Sequence, residues 1–600
     1  MKNLFVGKIR YYLVFFGVIC AFGSVGGRLV WLQVWNADKF TQIATDARKK
    51  IVTIKARRGD IVDSKGNLLA TTRSVVEVGL DPHVVEKEDE PKLKQLAGYL
   101  GVGLDEIEKA CDKKFFYLND GTKGRDVRWV KLKENVDEGT YRKIQELRIK
   151  GVYGNFKHSR LYPNKRLASH LLGFVNKESL AVMGAERYAD YYLTGQDGWR
   201  ESEKDGRRRE MPQHRSFEMR SKDGLNVELS IDRRVQDLVE KEISSLVDDY
   251  SPESVSIIVS DPKSGFVHAL GNYPNFDPNK FNSSEMANQR NRALSDVYEP
   301  GSTFKIVSVG GAMNEGLINE DDIIDCAQST FLSGRRTMRL PSDHNPLGKI
   351  SVSKVVQKSS NRGAARLGIL LGKERLYQYS QAFGFGSKTG FGIGGEREGT
   401  LHHPSRWDGL TIATLPIGHA VSATPIQVHS AMSSVANDGI LMKPQFISRV
   451  FDKTGKTVVP FRPKPVRRVL SSTVSKKLSE MLVSVVSEEG TARRASIEGF
   501  PVAGKTGTTQ KIIDGKYSNR HHVASFSGYF PANDPKVCLT IVVDEPKMGQ
   551  GRLGYGGVVA APSFQRLGKE IAAYWGLRGY DQSKELASYQ ESGSRYNTIK

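Results

Sequence analysis

The sequence predicts an α+β protein with one N-terminal membrane-spanning helix, a smaller domain after it and a larger α+β domain towards the C-terminus. Three observations lead there. An uncharged, apolar stretch runs from Tyr11 to Gly27. Strand patterns at 225–231, 254–260 and 266–271, and again at 500–503, 524–529 and 537–544, bracket a largely helical middle from about 303 to 440. Strands from both ends around a helical middle suggest one sheet completed by its last strands. Finally, 600 residues with 39% hydrophobic and 26% charged side chains are of globular composition and too many for one core.

The elements follow in order. Lys2, Lys8 and Arg10 precede the apolar stretch, Arg28 interrupts it, and Leu29-Val30-Trp31-Leu32 resumes it. The stretch 11–27 covers roughly 26 Å as a helix, near the thickness of a hydrocarbon core once flanking residues contribute. The positive flank places the N-terminus in the cytoplasm. Ala21-Phe22-Gly23 is a loose signal-cleavage site, but the apolar residues after it favour an uncleaved anchor. The expected division is a cytoplasmic tail at 1–10, an anchor at 11–34, an N-terminal domain at 45–222, the larger domain at 223–578 and a polar tail at 579–600. Within the N-terminal domain, 51–70 reads as strand, turn and strand about Asp63-Ser64-Lys65-Gly66-Asn67. Helical patterns follow at 90–112 and 134–148, then turns and short helices over 157–200. The charged stretch Arg200–Lys222 reads as a linker or extended arm. In the larger domain, helical spacing covers 233–247, and a closing helix runs from about Pro562 to Trp575.

Charge and cysteine usage exclude some functions. The 88 Lys and Arg outnumber the 67 Asp and Glu, for a net charge of +21. Such an excess suits nucleic acid, anionic lipid or anionic wall polymer. No zinc-finger spacing, RNP signature or basic heptad helix is present, which argues against nucleic acid. Runs such as Arg207-Arg208-Arg209 read as solvated surface. Cys20, Cys111, Cys326 and Cys538 form no CxxC pair, so metal and redox motifs are absent and buried free thiols are expected.

Three short motifs carry chemistry together. Glu299-Pro300-Gly301 is a helix-start signature, and Ser302-Thr303-Phe304-Lys305 follows it. A spacing of three puts Ser302 and Lys305 on one helical face. A serine hydroxyl needs a base, and a lysine amine serves if burial or a second cation lowers its pKa. Ser351-Val352-Ser353-Lys354 has the same spacing without the Pro-Gly entry and reads as the start of a surface helix. Ser359-Ser360-Asn361 offers a hydroxyl and a carboxamide on a loop, able to relay a proton and hold an amide. Lys505-Thr506-Gly507-Thr508 follows a short apolar strand, 500–503. A strand edge with a Lys and two Thr can bind a carboxylate and add a peptide as an extra strand, and Gly507 lets a backbone come close. Lys388-Thr389-Gly390 and Lys453-Thr454-Gly455 repeat the tripeptide in a glycine-rich connection and a hairpin turn.

The ordered set SxxK, SxN and KTG belongs to penicillin-binding proteins and class A β-lactamases. Over most of 10–575 the chain resembles the class B penicillin-binding proteins, specifically their cell-division (FtsI-like) transpeptidase branch. Arg58-Gly59-Asp60, Arg160-Leu161-Tyr162-Pro163, Leu172-Gly173-Phe174 and Gly184-Ala185-Glu186 resemble the motifs of that family's N-terminal pedestal. Gly556-Gly557-Val558-Val559 through Pro562 resembles its C-terminal segment. The resemblance implies a serine β-lactamase-like transpeptidase domain on a pedestal, with no cofactor and no metal. It implies that Ser302 attacks a D-Ala carbonyl of a peptidoglycan stem and that Lys305 takes its proton. Ser359 then serves the leaving group, Asn361 holds the substrate amide and Lys505 supplies positive potential. Thr506 and Thr508 bind the terminal carboxylate, with Gly507 between them, and the N–H groups of Ser302 and Thr508 form the oxyanion hole. Implied partners are stem peptides, β-lactams, the inner membrane, a multi-pass glycan polymerase and bitopic division proteins. Two departures stand out: His419 replaces an expected Gln or Tyr in Ile417-Gly418-His419-Ala420, and a single glycine precedes Glu186. A secreted β-lactamase is disfavoured by the anchor, the extra domain and the lack of Glu-x-x-x-Asn between Asn361 and Lys505. A β-lactam receptor is disfavoured by the short segment ahead of the anchor, and a dead scaffold by the intact Ser302, Lys305 and Lys505.

Overall fold

The structure, a computed structural model, describes residues 2–579 apart from 118, 119, 121, 205–209, 212, 214–216 and 550–553. Arg207-Arg208-Arg209 and the tail beyond residue 579 lie outside the described residues. The chain forms two compact units, one of Met1–Arg58 with Thr194–Gly224 and one of Gly59–Leu193 with Leu225–Lys600.

The first unit begins with α1, Lys2–Val30, followed by α2, Ala37–Arg48. Residues Lys8–Trp35 are long and apolar enough to cross a membrane. Strand β1, Lys49–Ile54, follows. In the second unit, β2, Ile61–Val62, turns at Asp63–Asn67 into β3, Leu68–Leu80, as the sequence indicates. Asp63 builds that turn by accepting from the backbone N–H groups of Lys65 and Asn67 at 2.9 and 2.7 Å. Helices α3, Glu90–Leu100, and α4, Leu104–Asp112, occupy the first helical pattern. The second pattern begins as a strand instead: β4 spans Val130–Val136, and α5 is Glu138–Glu146. The reason is local. Val136 pairs with Val76 of β3, and Asp137 caps the helix by accepting from Thr140 N–H at 2.9 Å. Strand β5, Val152–Leu161, pairs along its whole length with Thr71–Leu80 of β3. Val76, Val78 and Leu80 of β3 make a small core with Leu93, Leu96, Ile107 and Ile144.

Much of the described part of Arg200–Lys222, expected as a linker or extended arm, is extended chain paired in a sheet. β6, Gly198–Lys204, lies antiparallel between β1 and β8, Phe217–Met219, and β7, Glu210–Met211, adds to β6. A sheet of this kind needs backbone pairing and cross-strand contacts rather than an apolar run. Trp199 stacks on Phe217 with ring centroids 5.3 Å apart, and Lys49 lies 3.3 Å from Glu201.

Strand β9, Asn226–Leu229, runs parallel to β2 and antiparallel to β12, Ile447–Phe451, whose other neighbour is β13, Thr457–Pro460. The path is therefore β13-β12-β9-β2-β3-β4, with β5 also on β3. Helix α6, Arg233–Tyr250, leads to β10, Ser254–Ser260, and β11, Val267–Tyr273. These join β14, Ala503–Ile513, β15, Lys516–Phe530, and β16, Val537–Asp544, in an antiparallel sheet of order β11-β10-β16-β15-β14. The sequence-level expectation of a sheet finished by C-terminal strands is met. Every residue of β10 is buried, because helices cover both faces, and two of its serines are paired inside: Ser256 Oγ donates to Asn272 at 2.7 Å, and Ser260 Oγ lies 2.7 Å from His429 Nε2. Helix α12, Gly556–Trp575, starts before Pro562 and runs through it. Its first turn is fixed from outside, since Gly556 N–H donates to Thr508 Oγ1 at 3.0 Å. Cys326 and Cys538 are buried and Cys111 is half-buried.

Two separated sequence motifs meet in the second unit. Arg160 Nε donates to Glu186 at 2.7 Å with both side chains almost fully buried, and the same guanidinium reaches Gly59 O and Thr72 Oγ1. Tyr162 Oη donates to the same carboxylate at 3.2 Å. Arg160→Met removes a cation from a buried carboxylate and is expected to cost about 3–5 kcal/mol in denaturant titrations, whereas Arg160→Met with Glu186→Met costs clearly less than the sum. Equal and additive losses would contradict the pairing.

Candidate active site

Ser302 sits half-buried on a tight 3-10 turn, Gly301–Phe304, which feeds α7, Lys305–Asn314. Lys305 is 2% exposed. Its Nζ donates to Ser359 O, to Asn361 Oδ1 at 2.8 Å and to Ser359 Oγ at 3.1 Å. Ser359 can offer both oxygens because its φ is +58°, a left-handed conformation uncommon for serine. Ser360 N-caps α9, Asn361–Leu371, by accepting from Gly363 N–H at 3.0 Å. Asn361 is thus the first residue of a helix, where the sequence suggests a loop. The second SxxK opens α8, Val352–Gln357, where Ser351 is merely the N-cap.

Lys505 lies inside β14 rather than after a strand, fully buried, and donates from Nζ to Ser359 Oγ at 2.8 Å. Lys305, Ser359, Asn361 and Lys505 therefore form one continuous hydrogen-bonded cluster. The turn bearing Ser302 abuts the same strand: a Cβ at Gly507 would stand 3.0 Å from Pro300 O and 3.2 Å from Thr303 Cγ2. Thr506 Oγ1 is 3.3 Å from Thr491 Oγ1, and Thr508 accepts from the first turn of α12. β14 is an edge strand, so its outer backbone groups face away from the ladder with β15. The other two Lys-Thr-Gly copies lie apart from the cluster. Thr389 binds Glu396, and Thr454 belongs to the turn between β12 and β13.

Residues 255–569 match the penicillin-binding protein transpeptidase domain family, and residues 53–229 match the penicillin-binding protein dimerisation domain family. The chain belongs to the class B penicillin-binding proteins. It is a peptidoglycan D,D-transpeptidase by family. It is 35% identical over 566 residues to stage V sporulation protein D of Bacillus subtilis, covering 94% of this chain and 85% of that one. It is 30% identical over 560 residues to the peptidoglycan D,D-transpeptidase FtsI of Escherichia coli, covering 92% and 90%. Among solved structures, penicillin-binding protein 3 of Mycobacterium tuberculosis complexed with aztreonam matches at TM-score 0.66 and 25% identity, over 88% of this chain and 98% of that one.

The electrostatics of this penicillin-binding protein cluster are set by burial. Desolvation holds the Lys305 amine well below the usual lysine range, the charge of Lys505 lowers it further, and Asp343 pulls it back up. Burial brings Lys505 down to about 7. Burial and the Lys305 charge both lower His419.

Asp343 is a residue that sequence reasoning missed. Its carboxylate accepts from Asn361 N–H, from Arg362 N–H at 3.2 Å and from Ser360 Oγ at 2.9 Å, at the N-terminus of α9. Ser342 O accepts from Asn361 Nδ2 at 2.9 Å, which orients the carboxamide. The motif Pro341-Ser342-Asp343-His344-Asn345 signals a turn and nothing about what it faces. Asp343→Ala leaves those donors unpaired. It is expected to cost about 1–3 kcal/mol in denaturant titrations and to slow acylation by a fluorescent penicillin about tenfold. Wild-type acylation would show that Asn361 is held by other means.

Proposed function

We propose that Ser302 is the nucleophile and that the chain cross-links peptidoglycan stems through a Ser302 acyl-enzyme. The observation that carries this reading is the single hydroxyl, Ser359 Oγ, within hydrogen-bond reach of both buried amines, Lys305 and Lys505. Neutral Lys305 removes the Ser302 proton as Oγ attacks the penultimate D-Ala carbonyl. The N–H groups of Ser302 and Thr508 receive the oxyanion. Collapse breaks the amide bond, and the departing D-Ala amine takes its proton through Ser359. Asn361 holds the stem amide, and the open edge of β14 takes the peptide as an added strand. Thr506 and Thr508, on either side of Gly507, bind the terminal carboxylate under the potential of Lys505. The amine of a second stem then attacks the ester and releases Ser302. A β-lactam enters the same path and stays as an ester.

The apolar helix at Lys8–Trp35 supports a single-pass anchor in the cytoplasmic membrane, and its positive flank supports a cytoplasmic N-terminus with the catalytic region outside. The proposed division keeps an N-terminal pedestal at 45–222 and the transpeptidase domain at 223–578. We assign the enzyme to septal wall synthesis beside a multi-pass glycan polymerase and bitopic division proteins. The 35% identity to a sporulation protein favours a second reading, duty in the wall of a spore. Depletion followed by microscopy separates them: filaments with blocked septa mark the first, normal division with defective spores the second.

Ser302→Ala is expected to abolish covalent labelling by a fluorescent penicillin, and mass spectrometry of the wild-type adduct to place the acyl group on the peptide containing Ser302. An adduct elsewhere refutes the assignment. The acylation rate should trace a bell in pH. It rises as pH climbs through the lowered pKa of Lys305, which must be neutral to act, and falls above about 7, where Lys505 loses its charge. Lys505→Ala removes a charge that depresses Lys305, so the acid limb should move to higher pH; an unmoved limb would break the coupling.

A further inference from the structure

Glu299 stands three residues before Ser302 and has no part in the chemistry above. One of its oxygens, Oε1, accepts from Ala420 N–H at 3.0 Å and from Tyr517 Oη at 3.2 Å. Its other oxygen, Oε2, is buried and has no hydrogen-bond partner among the described residues. Burial accordingly raises the Glu299 carboxyl. For stability alone such a group is poor, since a half-buried carboxylate with one buried, unpartnered oxygen loses hydration without compensation.

The two donors come from the two elements that flank the nucleophile turn. Ala420 ends Gly418-His419-Ala420, a segment pressed directly on the turn: Gly301 N–H donates to Gly418 O at 3.3 Å, and a Cβ on Gly418 would lie 2.2 Å from Gly301 O. Ala420 itself holds a φ of +59°, which turns its N–H towards Glu299 at the expense of local strain. Tyr517 lies on β15, one residue past the turn that joins it to β14, the strand carrying Lys505 and Thr508. The loop and the hairpin also touch one another, for the His419 ring stacks on the Tyr517 ring with centroids 5.3 Å apart and planes at 28°. Loop, hairpin and nucleophile segment thus close a ring of contacts in which Glu299 Oε1 is the shared node. The rest of the hairpin tip, Ile512–Lys516, is exposed.

We infer that Glu299 is a positioning residue: through Tyr517 and Ala420 it fixes the register of the β14–β15 hairpin against the turn that presents Ser302. This rests on Ser302 being the nucleophile. The device explains His419 as well. An aromatic ring at that position keeps Tyr517 flat over the loop, so that its hydroxyl points at Oε1. A 1 Å drift of the hairpin would leave the binding groups of β14 present but misplaced for attack, which slows acylation more than it weakens binding.

The test is a double-mutant cycle on the full-length, detergent-solubilised chain, with penicillin acylation resolved into non-covalent affinity and acylation rate constant. Tyr517→Phe keeps the ring and its stack and deletes only the hydroxyl. It is expected to lower the acylation rate constant about tenfold with affinity and thermal midpoint little changed. Glu299→Ala lowers it at least as far, Tyr517→Phe adds nothing in that background, and Glu299→Gln, which restores an acceptor, recovers part of the rate. Wild-type acylation by Tyr517→Phe, or additive losses in the double variant, overturns the inference. Because the Tyr517 ring is partly exposed, folding is not at stake in that variant, and it decides the matter even if Glu299→Ala does not fold. Ser302→Ala runs alongside. If it loses all labelling while Tyr517→Phe acylates normally, the positioning role fails and the nucleophile stands; if it still labels, the nucleophile assignment itself has failed.

Discussion

One hydroxyl held between two buried amines organises the candidate active site. Ser359 Oγ receives Lys505 at 2.8 Å and Lys305 at 3.1 Å. Two ammonium groups cannot both keep full charge in a desolvated pocket: burial lowers both amines, and the charge of Lys505 lowers Lys305 as well. Nothing exotic is needed to lower the pKa of an amine here. Burial and one neighbouring charge suffice, and the third group, a serine with a left-handed backbone, supplies the oxygens that keep both amines pointed inward.

That triangle is assembled from three different parts of the chain, and each is braced from outside the motif. α9 presents Asn361 because Ser360 and Asp343 satisfy its first N–H groups. β14 presents Lys505 from the edge of a sheet whose interior strands are covered on both faces. The threonine hydroxyl at 508 is engaged by the N-terminus of α12. The short motifs supply reactive groups; the bracing residues supply their coordinates, and these have no sequence signature of their own.

This difference accounts for what could be read in advance. The meeting of Lys305, Ser359, Asn361 and Lys505 was legible because order and entry context separate their motifs from decoys: the segment with Lys305 is entered by Pro-Gly, whereas Ser351 caps an ordinary helix with Val352, Val355 and Val356 inward. Much of the five-stranded sheet was legible because β10 and β16 are rich in apolar residues, whereas β14, expected at 500–503, spans Ala503–Ile513 and is polar from Lys505 to Lys511. Asp343 was not, since a loop carboxylate 18 residues before its partner carries no periodicity. The pairing partners of Arg200–Lys222 were not legible for a related reason: Trp199, Lys49 and Glu201 stabilise a sheet by cross-strand pairs, which leave no apolar alternation to detect. The start of α5 was misplaced because β4 and the helix abut at Asp137, and charge-rich strands resemble charge-rich helices until the cap is recognised.

The mixed sheet built on β2 and β9 has a bearing on how the polypeptide is made. Asp60, at the mouth of β2, is hydrogen-bonded to a side chain 166 residues further on, and Glu228 of β9 to an arginine 221 residues beyond that. A ribosome therefore releases the first strand long before its parallel neighbour exists, and that neighbour long before β12 closes its other side. For most of synthesis the nascent chain carries a strand with an unsatisfied margin, vulnerable to pairing with another copy. Truncations that end anywhere between these segments inherit the same exposed margin, so solubility, rather than loss of the reactive groups, is what such fragments would lose first.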